Sequence, residues 1–233
     1  MIRTIWVGLN LILATVPASL VVIVAALLRI RGGVYDDASR AWSRWVLRAS
    51  GTRVRVEGFE NIKPDRPQII ASNHESWYDV FAIAATIPGR FKFVAKKELA
   101  AIPFFGWGWR AAGHISIDRS ATQSAIRSLE QAGETMRHDQ AKVVIFPEGT
   151  RAPTGELLPF KKGGFMLALH TGVEIVPAGV NGGRNILGKG DRRVHRGEMV
   201  LRFGEPIPMA GYSDKTRDQL IARVRREIEA LRR

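Results

Sequence analysis

From residue 53 onward, short β-branched or aromatic runs take turns with helical stretches, and this alternation restricts the fold more than any other feature of the chain. "RVRVEG" (53–58), "PQIIAS" (67–72), "FKFVA" (91–95), "HISID" (114–118), "KVVIF" (142–146), "EIVPAGV" (174–180) and "EMVLRF" (198–203) read as strands. "DVFAIAATI" (79–87), "ATQSAIRSLEQAGETMRHD" (121–139) and "GGFMLALHTG" (163–172) read as helices. The closing stretch offers a cap at Ser213, with Leu220, Val224, Ile228 and Leu231 at helical spacing. Strands separated by helices predict an α/β fold: a largely parallel mixed sheet covered by helices on both faces. With 233 residues, one sizeable core suffices, and no repeat or linker follows Gly33.

Ahead of this region, Ile5 to Leu28 contains no charged residue. As a helix, these residues reach about 36 Å, against a hydrocarbon core of roughly 30 Å. The run is too long for a signal-peptide core and ends in "LLRIRGG" rather than a small-residue cleavage site. A soluble helix apolar on every face would need a large core around it, so membrane embedding is the expectation. Asn10 and Pro17 interrupt the run, so a full span and a dip into one leaflet are both compatible with it. In "ASRAWSRWVLRAS", Arg40, Arg44 and Arg48 line one helical face opposite Trp42, Trp45, Val46 and Ala49. Two readings fit: a helix seated among lipid headgroups, or an amphipathic helix packed on its own domain. The apolar neighbour favours the first. The division expected is therefore a membrane-associated helical segment, 1–49, and a second domain, 50–233. The basic residues after the apolar run place that domain on the cytosolic face.

The 35 Lys and Arg against 22 Asp and Glu leave a net charge of +13, a surface suited to polyanions. Nucleic acid is the poorer partner, because the tryptophans cluster near the apolar run and in "PFFGWGW" (103–109) rather than among basic residues. There is no cysteine, which excludes disulfides, thiol nucleophiles and thiolate zinc sites together.

The expected strand order of events puts "ASNHESWYDV" (71–80) just past one strand, "FPEGTR" (146–151) past another and "DR" (118–119) past a third. Ligands of open α/β sheets gather at such carboxyl ends. A helical zinc pair beginning at His74 would need a histidine at 78, where Tyr78 stands, and no other histidine is ligand-spaced with it. No Gly-x-Ser-x-Gly elbow occurs. On a continuous helix His74 and Asp79 would point about 140° apart. A turn at 74–77 would instead let Asp79 hold one ring nitrogen and leave the other to take a proton from an alcohol. A loop histidine beside a helix-capping aspartate is the bland alternative. Gly149 permits close backbone approach, and the Arg119 and Arg151 guanidiniums match a phosphate.

Taken in order, these blocks resemble a known family. "NHESWYD" is similar to the Asn-His-x-x-x-x-Asp signature of glycerolipid acyltransferases of the lysophosphatidic acid acyltransferase (PlsC-type) family. "GHISIDR", "FPEGTR" and "IVPAGV" with Pro177 resemble its second, third and fourth blocks, so the likeness covers about residues 50–205. His114 stands where the second block often has an apolar residue.

The resemblance implies that His74 is a general base oriented by Asp79, acting on the free hydroxyl of lysophosphatidic acid. It implies an acyl-coenzyme A or acyl-carrier protein thioester as donor, with no metal or other cofactor, and phosphatidic acid as product. Arg119 and Arg151 would bind the acceptor phosphate, with Glu148, Gly149 and Thr150 completing the substrate site. A bacterial inner membrane, with its lipids as partners, is the implied setting. Other lysolipids such as lyso-ornithine lipid are the alternative acceptors, and a membrane-bound anion-binding protein the alternative outside catalysis.

Overall fold

The structure, a computed structural model, describes residues 1–118 and 122–233, with the backbone alone over 122–130. Two helices, α1 (Ile2–Leu27) and α2 (Val34–Ser50), precede an alternating region. Its strands are β1 (Thr52–Glu57), β2 (Ile69–Ser72), β3 (Phe91–Lys96), β4 (Ile115–Ile117), β5 (Lys142–Ile145), β6 (Ile175–Asn181) and β7 (Gly197–Phe203). Its helices are α3 (Trp77–Thr86), α4 (Phe105–Ala111), α5 (Thr122–Asp139), α6 (Gly163–Thr171), α7 (Gly183–Leu187) and α8 (Arg217–Leu231).

Among the described residues, seven strands form one sheet in the order β1-β7-β6-β2-β5-β3-β4. Neighbours run parallel except β6 and β7, which pair antiparallel from Ala178↔Phe203 to Asn181↔Val200. The chain leaves β2 for one side of the sheet and returns through β5, then crosses β2 to reach β6. Central strands are buried on both faces, which is why β2 and β5 read as unbroken apolar runs at their centres. Edge strand β1 alternates buried Thr52 with exposed Arg53 and Arg55.

Residues of opposite parity feed two cores. Ile70, Val144 and Val176 join Phe81 and Ile83 of α3 and Val46 of α2 on one face. Ile69, Val143 and Ile175 join Met136, Phe165, Leu220, Val224 and Ile228 on the other. The predicted fold class holds.

Two expectations change. α8 begins at Arg217 behind Thr216, while Ser213 donates its backbone N–H to Thr216 Oγ1 at 2.8 Å and belongs to the preceding turn. The arginine stripe is also reassigned. Arg40 donates from Nε to Ile87 O at 3.0 Å and from Nη2 to Gly89 O, and Arg44 donates from Nε to Ala85 O at 3.1 Å. The end of α3 would otherwise leave these carbonyls without partners, and the arginines supply them. Trp42 packs its ring edge on Phe81. Its Nε1 donates to Thr15 Oγ1, and Trp45 Nε1 donates to Asn10 Oδ1, so both indoles bind α2 to α1. The packed-helix reading holds for Arg40 and Trp42; Arg44 makes one bond to the domain yet stays exposed, as do Arg48 and half of Trp45.

α1 is long and apolar enough to cross a membrane. Its Val7, Asn10, Ala14, Ser19, Val22 and Ala25 face inward, while Leu9, Leu13, Leu20, Val24 and Leu27 face outward and exposed. Thr4 Oγ1 accepts from Val194 N at 3.1 Å, and Ser19 lies against Gly108 of α4 so closely that an added Cβ there would sit 2.8 Å from its Oγ. The helix is therefore docked lengthwise on the domain.

Candidate active site

The chain bends sharply between β2 and α3, and this bend makes the site. Ser76 has extended backbone (φ −145°, ψ 158°) and caps α3, its Oγ accepting from Tyr78 N while Asp79 reaches back to Ser76 N. A capping box is thus built into the motif. Because the helix starts only at Trp77, His74 is free of helical geometry and its ring meets Asp79: Nδ1 to Oδ2 is 2.9 Å. The same oxygen accepts from Glu75 N at 2.6 Å and Ser76 N at 2.8 Å. Both sequence readings of Asp79 are therefore true at once. It caps the helix, and it orients the histidine.

An Asp79 oxygen that accepts from two backbone amides is a committed acceptor, so Nδ1 carries the ring hydrogen and donates it. Nε2 is left as the basic nitrogen, without a hydrogen-bond partner among the described residues. The ring stacks on Phe146, centroids 4.0 Å apart and planes 18° from parallel. Asp79 is fully buried, while the His74 side chain keeps 13% of its exposure. Asp79 Oδ1 is buried without a partner among the described residues and lies against Gly183, where a Cβ would overlap it.

The FPEGTR loop leaves β5 and is strapped to His74. Glu148 takes His74 N on Oε1 at 2.8 Å and Leu158 N on Oε2 at 2.9 Å, and Ala152 N donates to His74 O at 2.7 Å. Burial raises the Glu148 carboxyl above its ordinary range, and these two amides pull it back. Its contribution is to shape the loop. Gly149 has φ +70°, the left-handed region, and the Lys161 side chain crosses it so that an added Cβ would stand 2.8 Å from Cε. Exposed Thr150 accepts from Lys189 Nζ at 3.4 Å. Arg151 lies over the Trp77 ring, 5.0 Å from its centroid, beside the start of α3. Arg119 lies outside the described residues.

His74, Asp79, Glu148, Gly149, Thr150 and Arg151 thus meet between β2 and β5, at the carboxyl end of the sheet where the strand order reverses. Several contributors escaped the sequence reading. Gly183 was signalled only by the doubled glycine after β6, and Lys161 sits in an ordinary "FKKGG". The Ser76-x-x-Asp79 spacing was a legible capping box.

The site thus holds a buried carboxylate, an imidazole held through Nδ1 with Nε2 open, and the Arg151 guanidinium beside them. The sequence pattern of the acyltransferase family matches residues 53–181, more than half of the chain. The chain belongs to this family. The 1-acyl-sn-glycerol-3-phosphate acyltransferase alpha of Homo sapiens is 35% identical over 178 residues, 76% of this chain and 63% of that protein. The 1-acyl-sn-glycerol-3-phosphate acyltransferase of Pseudomonas aeruginosa is 36% identical over 154 residues, 64% of this chain and 59% of that protein. The chain thus spans about three fifths of the length of these curated relatives. The crystal structure of the 1-acyl-sn-glycerophosphate (LPA) acyltransferase PlsC from Thermotoga maritima superposes with a TM-score of 0.83 at 28% identity, covering 99% of this chain and 95% of that one.

Proposed function

We propose that this protein transfers a fatty acyl group from an acyl thioester to the free hydroxyl of lysophosphatidic acid, forming phosphatidic acid for phospholipid synthesis. The observation that carries the reading is the His74 ring, held through Nδ1 by Asp79 with Nε2 open. The names of the relatives supply the acceptor, lysophosphatidic acid.

In this reading the acceptor hydroxyl gives its proton to His74 Nε2 as its oxygen attacks the thioester carbonyl carbon. The tetrahedral intermediate collapses, the C–S bond breaks, and the imidazolium returns the proton to the departing thiolate. Asp79 stabilises the imidazolium while it exists. No metal or other cofactor is required, because a thioester is already activated. Arg151 takes the acceptor phosphate, with Arg119 as its partner by resemblance. The donor is an acyl-coenzyme A or an acyl-carrier protein.

We further infer that the enzyme is held in one leaflet on the cytosolic side. The docking of α1 along its length supports a shallow embedding of its outward face over a free span. Ile102, Phe104 and Trp107 extend the exposed apolar surface beside α4.

The test is purified enzyme in detergent, offered lysophosphatidic acid, lyso-ornithine lipid and other lysophospholipids with each donor, the products read by mass spectrometry. Phosphatidic acid as the preferred product supports the reading. Preference for another acceptor replaces the substrate, and no transfer to any acceptor ends it.

A further inference from the structure

Glu75 follows the base directly, and its carboxylate is the odd one at the site. Both Glu148 oxygens take backbone amides, and Asp79 Oδ2 takes two amides and the His74 ring. Glu75 accepts no hydrogen bond among the described residues, and its side chain is only 13% exposed. The cation facing it comes from the far end of the chain: Arg232 Nη1 stands 3.9 Å from Glu75 Oε1. That Nη1 is itself buried and has no hydrogen-bond partner among the described residues, while Arg232 Nε lies 3.6 Å from Glu229 Oε1.

The position of Arg232 is built by three strands. The Leu231–Arg232 backbone rests on Gly179 of β6, where an added Cβ would come 2.5 Å from Leu231 C and 2.7 Å from Arg232 N. Asn181 Nδ2 donates to Arg232 O at 2.9 Å. Arg202 of β7 donates from Nη1 to Leu231 O at 3.0 Å and Arg233 O at 2.7 Å, and is itself held through Nε by Glu57 of β1 at 2.6 Å. The core contacts of α8 are made earlier, by Leu220, Val224 and Ile228.

Resting on the acyl-transfer reading above, we propose that Arg232 is a positioning residue of the active site: it pairs with Glu75, the neighbour of the base, and keeps that buried carboxylate charged and in place. Three carboxylates, Glu75, Asp79 and Glu148, stand around His74, with Arg184 of α7 and Arg232 as the cations facing Glu75. Burial pushes the Glu75 carboxyl up to about 7, Asp79 and Glu148 add to the rise, and Arg232 and Arg184 oppose it. Without Arg232 the Glu75 carboxyl rises further and takes up its proton at higher pH, so an acid limb that reports the loss of the charged Glu75 moves upward with it.

The experiment compares pH profiles of kcat/KM for the acceptor in wild type, Arg232→Gln, Arg232→Lys, Glu75→Gln and the Glu75→Gln/Arg232→Gln double variant. Thermal midpoints in detergent serve as the folding control. Arg232→Gln should move the acid limb upward by about 0.5–1 pH unit. Arg232→Lys, which keeps the charge, should restore most of the wild-type profile. In the double variant the shift should vanish, because the carboxyl that Arg232 keeps charged is gone. An unmoved limb in a folded Arg232→Gln protein overturns the proposal, and so does an equal shift in the Glu75→Gln background. Should Arg232→Gln not fold, Arg232→Lys and Glu75→Gln decide: a wild-type limb in Glu75→Gln refutes the proposal, and a lowered one supports it. His74→Ala separates the two ideas. If it is inactive while the Arg232 profiles match wild type, only this inference fails; if it is active, the underlying reading fails.

Discussion

His74 donates its backbone N–H to Glu148 Oε1 at 2.8 Å, so the residue placed by β2 and the loop placed by β5 move as one unit. The second Glu148 oxygen holds Leu158 N at 2.9 Å, which extends the unit into the following segment. A carboxylate suits this position because it accepts on both sides and offers no donor.

Glu148→Gln replaces one acceptor oxygen with an amide NH₂ that must face one of these N–H groups. A buried backbone donor left unpaired costs about 1–3 kcal/mol. The variant should show a lower thermal midpoint in detergent together with reduced turnover, since His74 shifts with its amide. A wild-type midpoint and wild-type turnover together would show that the strap is dispensable.

His74→Ala should lose about 10²–10⁴-fold in kcat, the usual contribution of a general base, with the fold retained because the ring is partly exposed. Asp79→Asn should cost nearly as much activity and also some stability, because Asp79 Oδ2 accepts from Glu75 N and Ser76 N as well as from the ring. Steady-state rates and circular dichroism of both proteins check this. Normal turnover in a folded His74→Ala protein would refute the mechanism.

The sequence carried much of this site because its parts are local. The seven strands could be read from apolar runs, and the approach of His74 to Asp79 needed only a turn before α3. What could not be read depends on partners distant in the chain. Arg40 and Arg44 look like a lipid-facing stripe until the end of α3 is placed against them. Asn10 looks like a break in an apolar run, yet it accepts from Trp45 and donates to Trp6 O. Gly183 has no motif of its own; only the packing of α7 on α3 shows that Asp79 Oδ1 occupies the space of its missing side chain. Side-chain periodicity reports which face is apolar and not what covers it.

Arg151 lies over Trp77 and makes no ion pair among the described residues, which leaves its guanidinium available to a phosphate. Arg151→Ala should raise the acceptor KM far more than the donor KM, by roughly 10- to 100-fold for the loss of charge-assisted bonds worth about 1.5–3 kcal/mol. Arg151→Lys should recover only part of this, since an ammonium lacks the planar fork and the flat contact with the indole. Separate titrations of each substrate give the answer. A change confined to the donor KM would assign Arg151 to the donor instead.

His114 opens the second motif block, and its surroundings explain why the fold accepts a histidine there. The ring lies 4.4 Å from Trp109, centroid to centroid, near Phe93 and Phe91, and Nδ1 accepts from Phe93 N at 3.2 Å. Burial, reinforced by the positive charge of Lys92, lowers its pKa from 6.5 to about 3. The unfolded chain binds this proton near pH 6.5 and the folded one only near 3, so stability is full above 6.5 and is lost as pH falls through that window. The loss should be on the order of 3 kcal/mol, below the full 1.36 kcal/mol per pKa unit because the residue as a whole is only partly buried. His114→Phe should flatten stability between pH 6.5 and 4, at the expense of about 1 kcal/mol at neutral pH for the unpaired Phe93 amide. Denaturant midpoints in detergent across that range test it, and parallel curves for the two proteins would refute the assignment.

α1 presents Leu9, Leu13, Leu20, Val24 and Leu27 outward while its other face closes the domain, so deleting the helix would strip α2 and α4 as well as remove an anchor. Substitution on the outward face alone separates the two roles. Each large apolar side chain withdrawn from water contributes about 1.5–3 kcal/mol, a term that salt does not screen. A charge introduced there costs a further 2.5–3.5 kcal/mol or so at hydrocarbon depth and less near the interface. The unaltered protein should therefore stay with vesicles in about 1 M salt, where the Debye length is roughly 3 Å, and require detergent for release. Leu13→Glu with Leu20→Glu should shift most of the protein to the soluble fraction while leaving its thermal midpoint in detergent close to wild type. Arg48→Ala, at an exposed position, should weaken binding only at low salt and only on anionic vesicles, by about 1 kcal/mol. Flotation assays at two salt concentrations distinguish these outcomes. Release of the unaltered protein by salt alone would show that its attachment is electrostatic. Full retention of the double glutamate variant would move the membrane-binding surface away from α1.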